Sequence, residues 1–116
     1  MTKAEQIEAN KIALKVKEKC YYELTKKFID SKGFNNKLNA WVYETENYFI
    51  LKHYDTFVAA VQKGTHLGYD FLRSQWFKKC GEYGDYTTNY SNTSARHIAN
   101  FFKKYDVEFI VRYREV

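Results

Sequence analysis

The apolar residues of the N-terminal third recur every three or four positions, which is the spacing of an amphipathic helix. Thr2 followed by Glu5 forms a capping box, so a helix is predicted to begin there. Gly33 is a typical left-handed helix stop, and we therefore predict one long helix that ends at this glycine. Its inward stripe comprises Ala13, Val16, Cys20, Leu24 and Phe28, widened by Ile12, Tyr21 and Ile29.

After a short polar linker the spacing changes to alternation, which is typical of strands. Strands are predicted over residues 40–44 and 48–52, joined by a hairpin turn at 45–47. A second reversal at 54–56 leads into a third strand, residues 57–61. These segments predict an antiparallel meander.

The second half of the chain is less regular in its spacing. Residues 66–81 fit both a strand and a helix, and we favour a short helix over 70–79. A further strand is predicted to run up to Ser91. The next helix is predicted from an N-cap at Thr93 through Lys104, and residues 107–113 alternate as a final strand.

This order of elements predicts an α+β domain. We expect one antiparallel sheet of about five strands, with both helices packed on one face of the sheet. The composition supports a single globular domain over residues 1–116, because 45% of the residues are hydrophobic and 28% are charged. Its predicted segments are an N-terminal helix (1–33), a strand meander (38–63), an insertion (66–89) and a strand-helix-strand unit (90–116).

The N-terminal residues and the cysteines bear on the compartment. The first residues are charged and contain no apolar segment of the secretory type, so we expect no secretory signal and no membrane span. Cys20 and Cys80 lie far apart without a Cys-x-x-Cys motif, and both are predicted to be free thiols. A cytoplasmic location in a bacterial host is the expectation.

Two segments resemble a known group of proteins. The run from Tyr48 to Val61, with Tyr54-Asp55-Thr56-Phe57-Val58-Ala59 at its centre, resembles the Tyr-x-Thr-x-Val-Ala strand pair of small uncharacterised bacteriophage and mobile-element proteins. The run from Tyr90 to Phe101 is similar to their second, strand-to-helix signature. The resemblance implies a phage or prophage accessory protein. Proteins of that kind often bind and disable a host defence factor, anti-CRISPR proteins included.

Basic residues are concentrated in two segments of a chain with a formal charge of +5. Residues 1–33 carry eight Lys against five acidic residues, and residues 73–104 carry six Lys or Arg against two. On the first helix a basic stripe with one ring is predicted opposite the apolar stripe. Such a stripe fits phosphate contacts, although a plainly solvated helix face has the same composition. The stripe comprises Lys11, Lys15, Lys19, Tyr22 and Lys26.

A second group of candidate binding residues lies in the C-terminal half. Trp76 and Phe77 precede two lysines, an arrangement that fits either a contact surface or core packing. On the second predicted helix two polar residues point away from the apolar face. The candidates are Arg73, Lys78, Lys79, Arg96 and Asn100.

The sequence shows no recognised catalytic or metal-ligating spacing. His97 lies on the apolar side of its predicted helix, so we expect a buried, hydrogen-bonded imidazole. His53 and Asp55 come nearest to an acid–base pair, but a turn is predicted between them. No catalytic residue, metal or cofactor is predicted.

Three functions are compatible with these observations. The leading hypothesis is a non-enzymatic accessory protein of phage or mobile-element origin that binds a host protein or nucleoprotein complex, and inhibits it, through basic and aromatic residues. The first alternative is direct DNA or RNA binding by the basic stripe. The second alternative is a small hydrolase or nuclease that uses His97 or His53.

Overall fold

The computed structural model describes residues 2–35, 39–71 and 93–112. In chain order the elements are α1 (Lys3–Lys26), β1 (Phe28–Asn35), β2 (Ala40–Thr45), β3 (Tyr48–His53), β4 (Thr56–Gln62), β5 (Leu67–Asp70), α2 (Thr93–Lys104) and β6 (Phe109–Arg112). The α+β class predicted from the sequence is confirmed. The predicted strand before Ser91 and most of the predicted helix over residues 70–79 lie outside the described residues.

The capping box at the start of α1 is confirmed, but the predicted end of this helix is wrong. The Glu5 amide donates to Thr2 Oγ1 at 3.1 Å, and the Thr2 amide donates to Glu5 Oε1 at 3.2 Å. The helix ends at Lys26, and Lys27 closes it by donating its amide to the Glu23 carbonyl. Gly33 therefore does not stop a helix. It lies within β1, which pairs with β2 along most of its length.

The described residues form one sheet with the strand order β1-β2-β3-β4-β5-β6. Neighbouring strands are antiparallel from β1 to β5, and β6 lies parallel to β5. The predicted meander and its two turns are confirmed. The described residues supply six strands where about five were predicted for the whole chain. Two of the six, β1 and β5, are not among the predicted strands, because the sequence pattern predicts a helix through Phe28 and favours a helix from residue 70.

The two helices pack on opposite faces of the sheet, so the expectation that they share one face is wrong. α1 contributes Val16 and Cys20 to a core with Ile50 and Ala60. α2 contributes its apolar residues to a second core with Leu51 and others on the other face. Adjacent residues of the central strands thus point into different cores. The α2 side includes Val42, Leu51, Val58, Ile98, Phe101 and Phe102.

The C-terminal elements follow their predicted ranges closely. α2 ends at Lys104 as expected, and β6 falls within the predicted final strand. β5 approaches α2 at Gly68, where an added Cβ would lie 2.8 Å from both Phe102 Cε1 and Val107 Cγ1. Glycine therefore allows this close contact between the sheet and α2. Among the described residues, neither helix combines the length and apolar character needed to cross a bilayer.

Candidate interaction surface

An aromatic surface lies on the α1 side of the sheet, beside the helix. Gly33, Trp41, Lys52 and Phe57 are register partners across β1, β2, β3 and β4, so they form one cross-strand row. Tyr43 lies two residues after Trp41 on β2 and therefore shares its face. We define the aromatic surface as Tyr21, Phe28, Trp41, Tyr43, Lys52 and Phe57.

Four rings of this surface, those of Tyr21, Phe57, Tyr43 and Phe28, form a chain of contacts. Phe57 lies edge-on to Tyr21 and to Tyr43, with centroid distances of 5.6 and 5.5 Å. Phe28 lies 6.3 Å from Tyr43. Lys52 Nζ lies 5.5 Å from the Phe57 centroid and 5.7 Å from that of Tyr43, which is cation–π geometry. These contacts fix the orientation of the inner rings before any partner binds.

The outer rings of the surface remain accessible to solvent. Tyr21 is 47% exposed, Phe28 is 49% exposed and Trp41 is 40% exposed. α1 packs over the row that contains Ile50, Ala60 and Tyr69, and of the neighbouring row it reaches Phe57 through Tyr21 but leaves Trp41 40% exposed. Adjoining large apolar groups with this accessibility are typical of a contact site.

The predicted basic stripe lies on the solvent side of α1. Lys11, Lys15, Lys19 and Lys26 are exposed, and Tyr22 is 58% exposed. At about 100° per residue, the stripe lies to one side of the buried face of α1, and Tyr21 lies to the other side. The stripe and the aromatic surface therefore face different directions.

The other predicted binding residues do not join the stripe. Arg96 and Asn100 are exposed on α2, which covers the opposite face of the sheet. Arg73, Lys78 and Lys79 lie outside the described residues, as do Trp76 and Phe77. Arg96 and Asn100 thus belong to a different side of the protein from Lys11 to Lys26.

His97 is buried, as predicted, and lies beside a second histidine. It is 3% exposed, and its ring stands edge-on to that of His53 with a centroid distance of 4.8 Å. The expected hydrogen bond is not found at Nε2, which has no partner among the described residues. Burial, followed by the electrostatic effect of His53, lowers the pKa of His97. Asp55 lies exposed in the turn after β3.

The lowered pKa predicts that acid destabilises the fold. The unfolded chain binds a proton at position 97 more readily than the folded chain does, so this contribution is full above the ordinary pKa of 6.5 and is lost as pH falls. One such group changes the free energy of unfolding by at most about 1.4 kcal/mol per pH unit. Urea denaturation between pH 7.5 and 5 measures the slope.

His97→Ala serves as the comparison for this slope. We expect it to lower the free energy of unfolding by about 1–3 kcal/mol at pH 7.5, because it removes a buried ring. It should also reduce the dependence of stability on pH. An unchanged dependence in the variant would contradict the role of His97.

Potential metal ligands and the thiol of Cys20 are found among the described residues. No three His, Cys, Asp or Glu side chains converge within residues 2–35, 39–71 and 93–112. Cys20 is a free thiol buried under α1, and burial raises its pKa to about 12. A thiol in that state is a weak nucleophile at neutral pH.

The sequence contained a partial indication of the aromatic surface. Alternation along the predicted strand 40–44 places Trp41 and Tyr43 on one face, and the next two predicted strands carry Lys52 and Phe57. Their accessibility depends on where α1 packs, which the alternation does not specify. Comparison of the chain with protein-family models, with curated proteins and with solved structures found no match.

Proposed function

We propose that this chain is a non-enzymatic binding protein whose aromatic surface docks on a partner protein. The observation that carries the proposal is the accessibility of Tyr21, Phe28 and Trp41, at 40–49% each, around the ordered rings of Tyr43 and Phe57. Protein interfaces concentrate aromatic residues at their centre and place charged residues at the rim.

The charges around the aromatic surface fit this arrangement. Lys52 is already engaged by two rings of the surface. At the start of β1, Lys27 and Glu46 form an ion pair of 2.7 Å whose side chains are 41% and 58% exposed. An apolar centre with a mixed-charge rim favours a protein over a nucleic acid as the partner of this surface, because nucleic acids require a net positive contact.

We propose further that the partner is a host nucleic-acid-handling or defence factor, which the chain inhibits in the manner of an anti-CRISPR protein. The support is the resemblance of residues 48–61 and 90–101 to phage and mobile-element proteins. The first of these segments forms the β3–β4 hairpin, and this hairpin contributes Lys52 and Phe57 to the aromatic surface.

Direct DNA or RNA binding is the second candidate. It is favoured by the exposure of the whole basic stripe on one side of α1. Lysines on such a stripe neutralise phosphates without sequence preference, and the affinity falls steeply with salt.

A capture experiment with a surface variant tests the first candidate. We expect the immobilised chain to recover one dominant protein from a bacterial host lysate and to bind that purified protein directly. Trp41→Ala should weaken this binding by at least about tenfold, because tryptophan is among the residue types whose truncation most often costs an interface its affinity. Phe109→Ala is the matched control, because Phe109 is also an exposed ring, at 64%, but lies on β6.

The same preparation separates the two candidates. Retention on DNA or RNA that is lost above about 0.1 M salt and abolished by Lys15→Glu with Lys19→Glu would support the basic stripe. Protein capture that Trp41→Ala leaves unchanged would contradict docking through the aromatic surface.

A further inference from the structure

β1 is the terminal strand of the sheet, and its outer edge has no strand partner among the described residues. Its residues from Phe28 to Gly33 are all exposed. The register with β2 shifts between Phe28 and Asp30 and again between Gly33 and Asn35, which leaves Asp30–Gly33 as a regular segment. An exposed, regular edge of this kind is a template for pairing with another strand.

The side chains of this segment are distributed over both faces of the sheet. Asp30 and Lys32 stand opposite Glu44 and Val42 of β2, which places both on the α2 side. Ser31 stands opposite Tyr43 and therefore faces the α1 side, next to the aromatic surface. The Ser31 amide donates to its neighbour's carboxylate, Asp30 Oδ1, at 2.8 Å.

We propose that β1 pairs antiparallel with β1 of a second copy of this chain, with Ser31 on the two-fold axis. In this register Asp30 of each copy stands directly opposite Lys32 of the other, on the same face. The two cross-strand pairs then carry opposite charges. Shifting the pairing by two residues in one direction sets Asp30 opposite itself, and in the other direction sets Lys32 opposite itself, so charge complementarity selects the register centred on Ser31.

The proposed dimer has a consequence for the aromatic surface. The two-fold axis of an antiparallel pair runs perpendicular to the sheet, so the α1 sides of both copies lie on the same side of the dimer. With strands spaced about 4.8 Å apart, the Tyr43 residues of the two copies are separated by only three strand intervals. The two aromatic surfaces would then form one symmetric face. The dimer itself does not depend on the proposed function.

Charge reversal tests the register in solution. Asp30→Lys alone and Lys32→Asp alone each set like charges opposite one another in both pairs, and we expect each to raise the dimer dissociation constant by about tenfold or more. The double variant Asp30→Lys with Lys32→Asp restores opposite charges and should return the constant to within about threefold of the parent's. Analytical ultracentrifugation at low salt measures all four proteins, and circular dichroism checks their folds.

Cross-linking tests the same register independently. In a Cys80→Ser background, Ser31→Cys places two thiols opposite each other on the axis, within reach of a disulfide. Mild oxidation should link this variant at least about tenfold faster than Asp30→Cys, whose thiol stands opposite position 32. Equal linking rates would overturn the register.

The ultracentrifugation experiment tests the dimer itself. A parent chain that stays monomeric up to about 0.5 mM, or single charge reversals that dimerise like the parent, would overturn the dimer.

Discussion

Replacing Phe101 with alanine is expected to lower the free energy of unfolding by about 3–5 kcal/mol. Its side chain is fully buried between α2 and the sheet. The ring lies edge-on to Phe34 at 6.2 Å and to Tyr105 at 5.2 Å, and Phe102 lies 5.9 Å away. Because rings on several sides hold their positions, the cavity would collapse only partly. A loss of this size is a large fraction of the stability of a small domain.

Phe109→Ala provides the matched control for this prediction. Phe109 is 64% exposed on β6, so the same truncation should change the free energy of unfolding by no more than about 0.5 kcal/mol. Urea denaturation compares both variants with the parent. If Phe101→Ala does not fold, Phe101→Leu should still show a measurable loss of about 1–2 kcal/mol. Equal losses at positions 101 and 109 would contradict the position of α2 on the sheet.

The boundary between α1 and β1 shows where local sequence patterns are insufficient. Phe28 and Ile29 continue the helical spacing of the apolar stripe, and no Gly or Pro interrupts the chain before Gly33. In the structure both residues lie in β1 and are about half exposed. β1 forms by pairing with β2, a contact that helical periodicity does not report. Tertiary pairing therefore overrides the local preference here.

The packing of one helix on each face of the sheet is, by contrast, indicated by the apolar residues of the central strands. Ile50 and Leu51 are adjacent and both fully buried, as are Ala59 and Ala60. Consecutive apolar residues in a strand indicate burial on both faces, whereas a sheet covered on one face alternates with polar residues. The apolar runs in β3 and β4 thus indicated a helix on each side.

The exposure of the basic stripe could be predicted from the sequence, whereas the exposure of the aromatic surface could not. The exposure of Lys15, Lys19 and Tyr22 followed directly from the helical spacing. The accessibility of Trp41 did not, because a ring on a strand is buried or exposed according to the element that covers it. α1 covers Tyr69 and leaves Trp41 accessible, and that choice depends on packing between distant segments.

Replacing Glu23 with alanine is expected to lower the free energy of unfolding by about 2–4 kcal/mol. Although Glu23 belongs to α1, its carboxylate is buried against the β2–β3 turn. Oε1 accepts the Thr45 hydroxyl at 2.8 Å and the Asn47 amide at 2.9 Å, and Oε2 accepts Asn47 Nδ2 at 2.8 Å. Truncation would remove the shared acceptor of all three donors, of which the Thr45 hydroxyl belongs to a fully buried side chain.

The dependence of this loss on pH shows whether Glu23 stabilises the fold through its charged carboxylate or only through the packing of its side chain. Burial raises the pKa of Glu23, but the hydrogen bonds from Asn47 and Thr45 outweigh it, and the net pKa is lowered from its ordinary value of 4.5. The stabilisation is therefore full above pH 4.5 and is lost as pH falls through the lowered pKa. The difference in unfolding free energy between the parent and Glu23→Gln should shrink as pH falls below the ordinary value of 4.5. Glu18→Gln, at an exposed position of the same helix, should match the parent throughout, and a difference for Glu23→Gln that stays constant with pH would contradict the charged network.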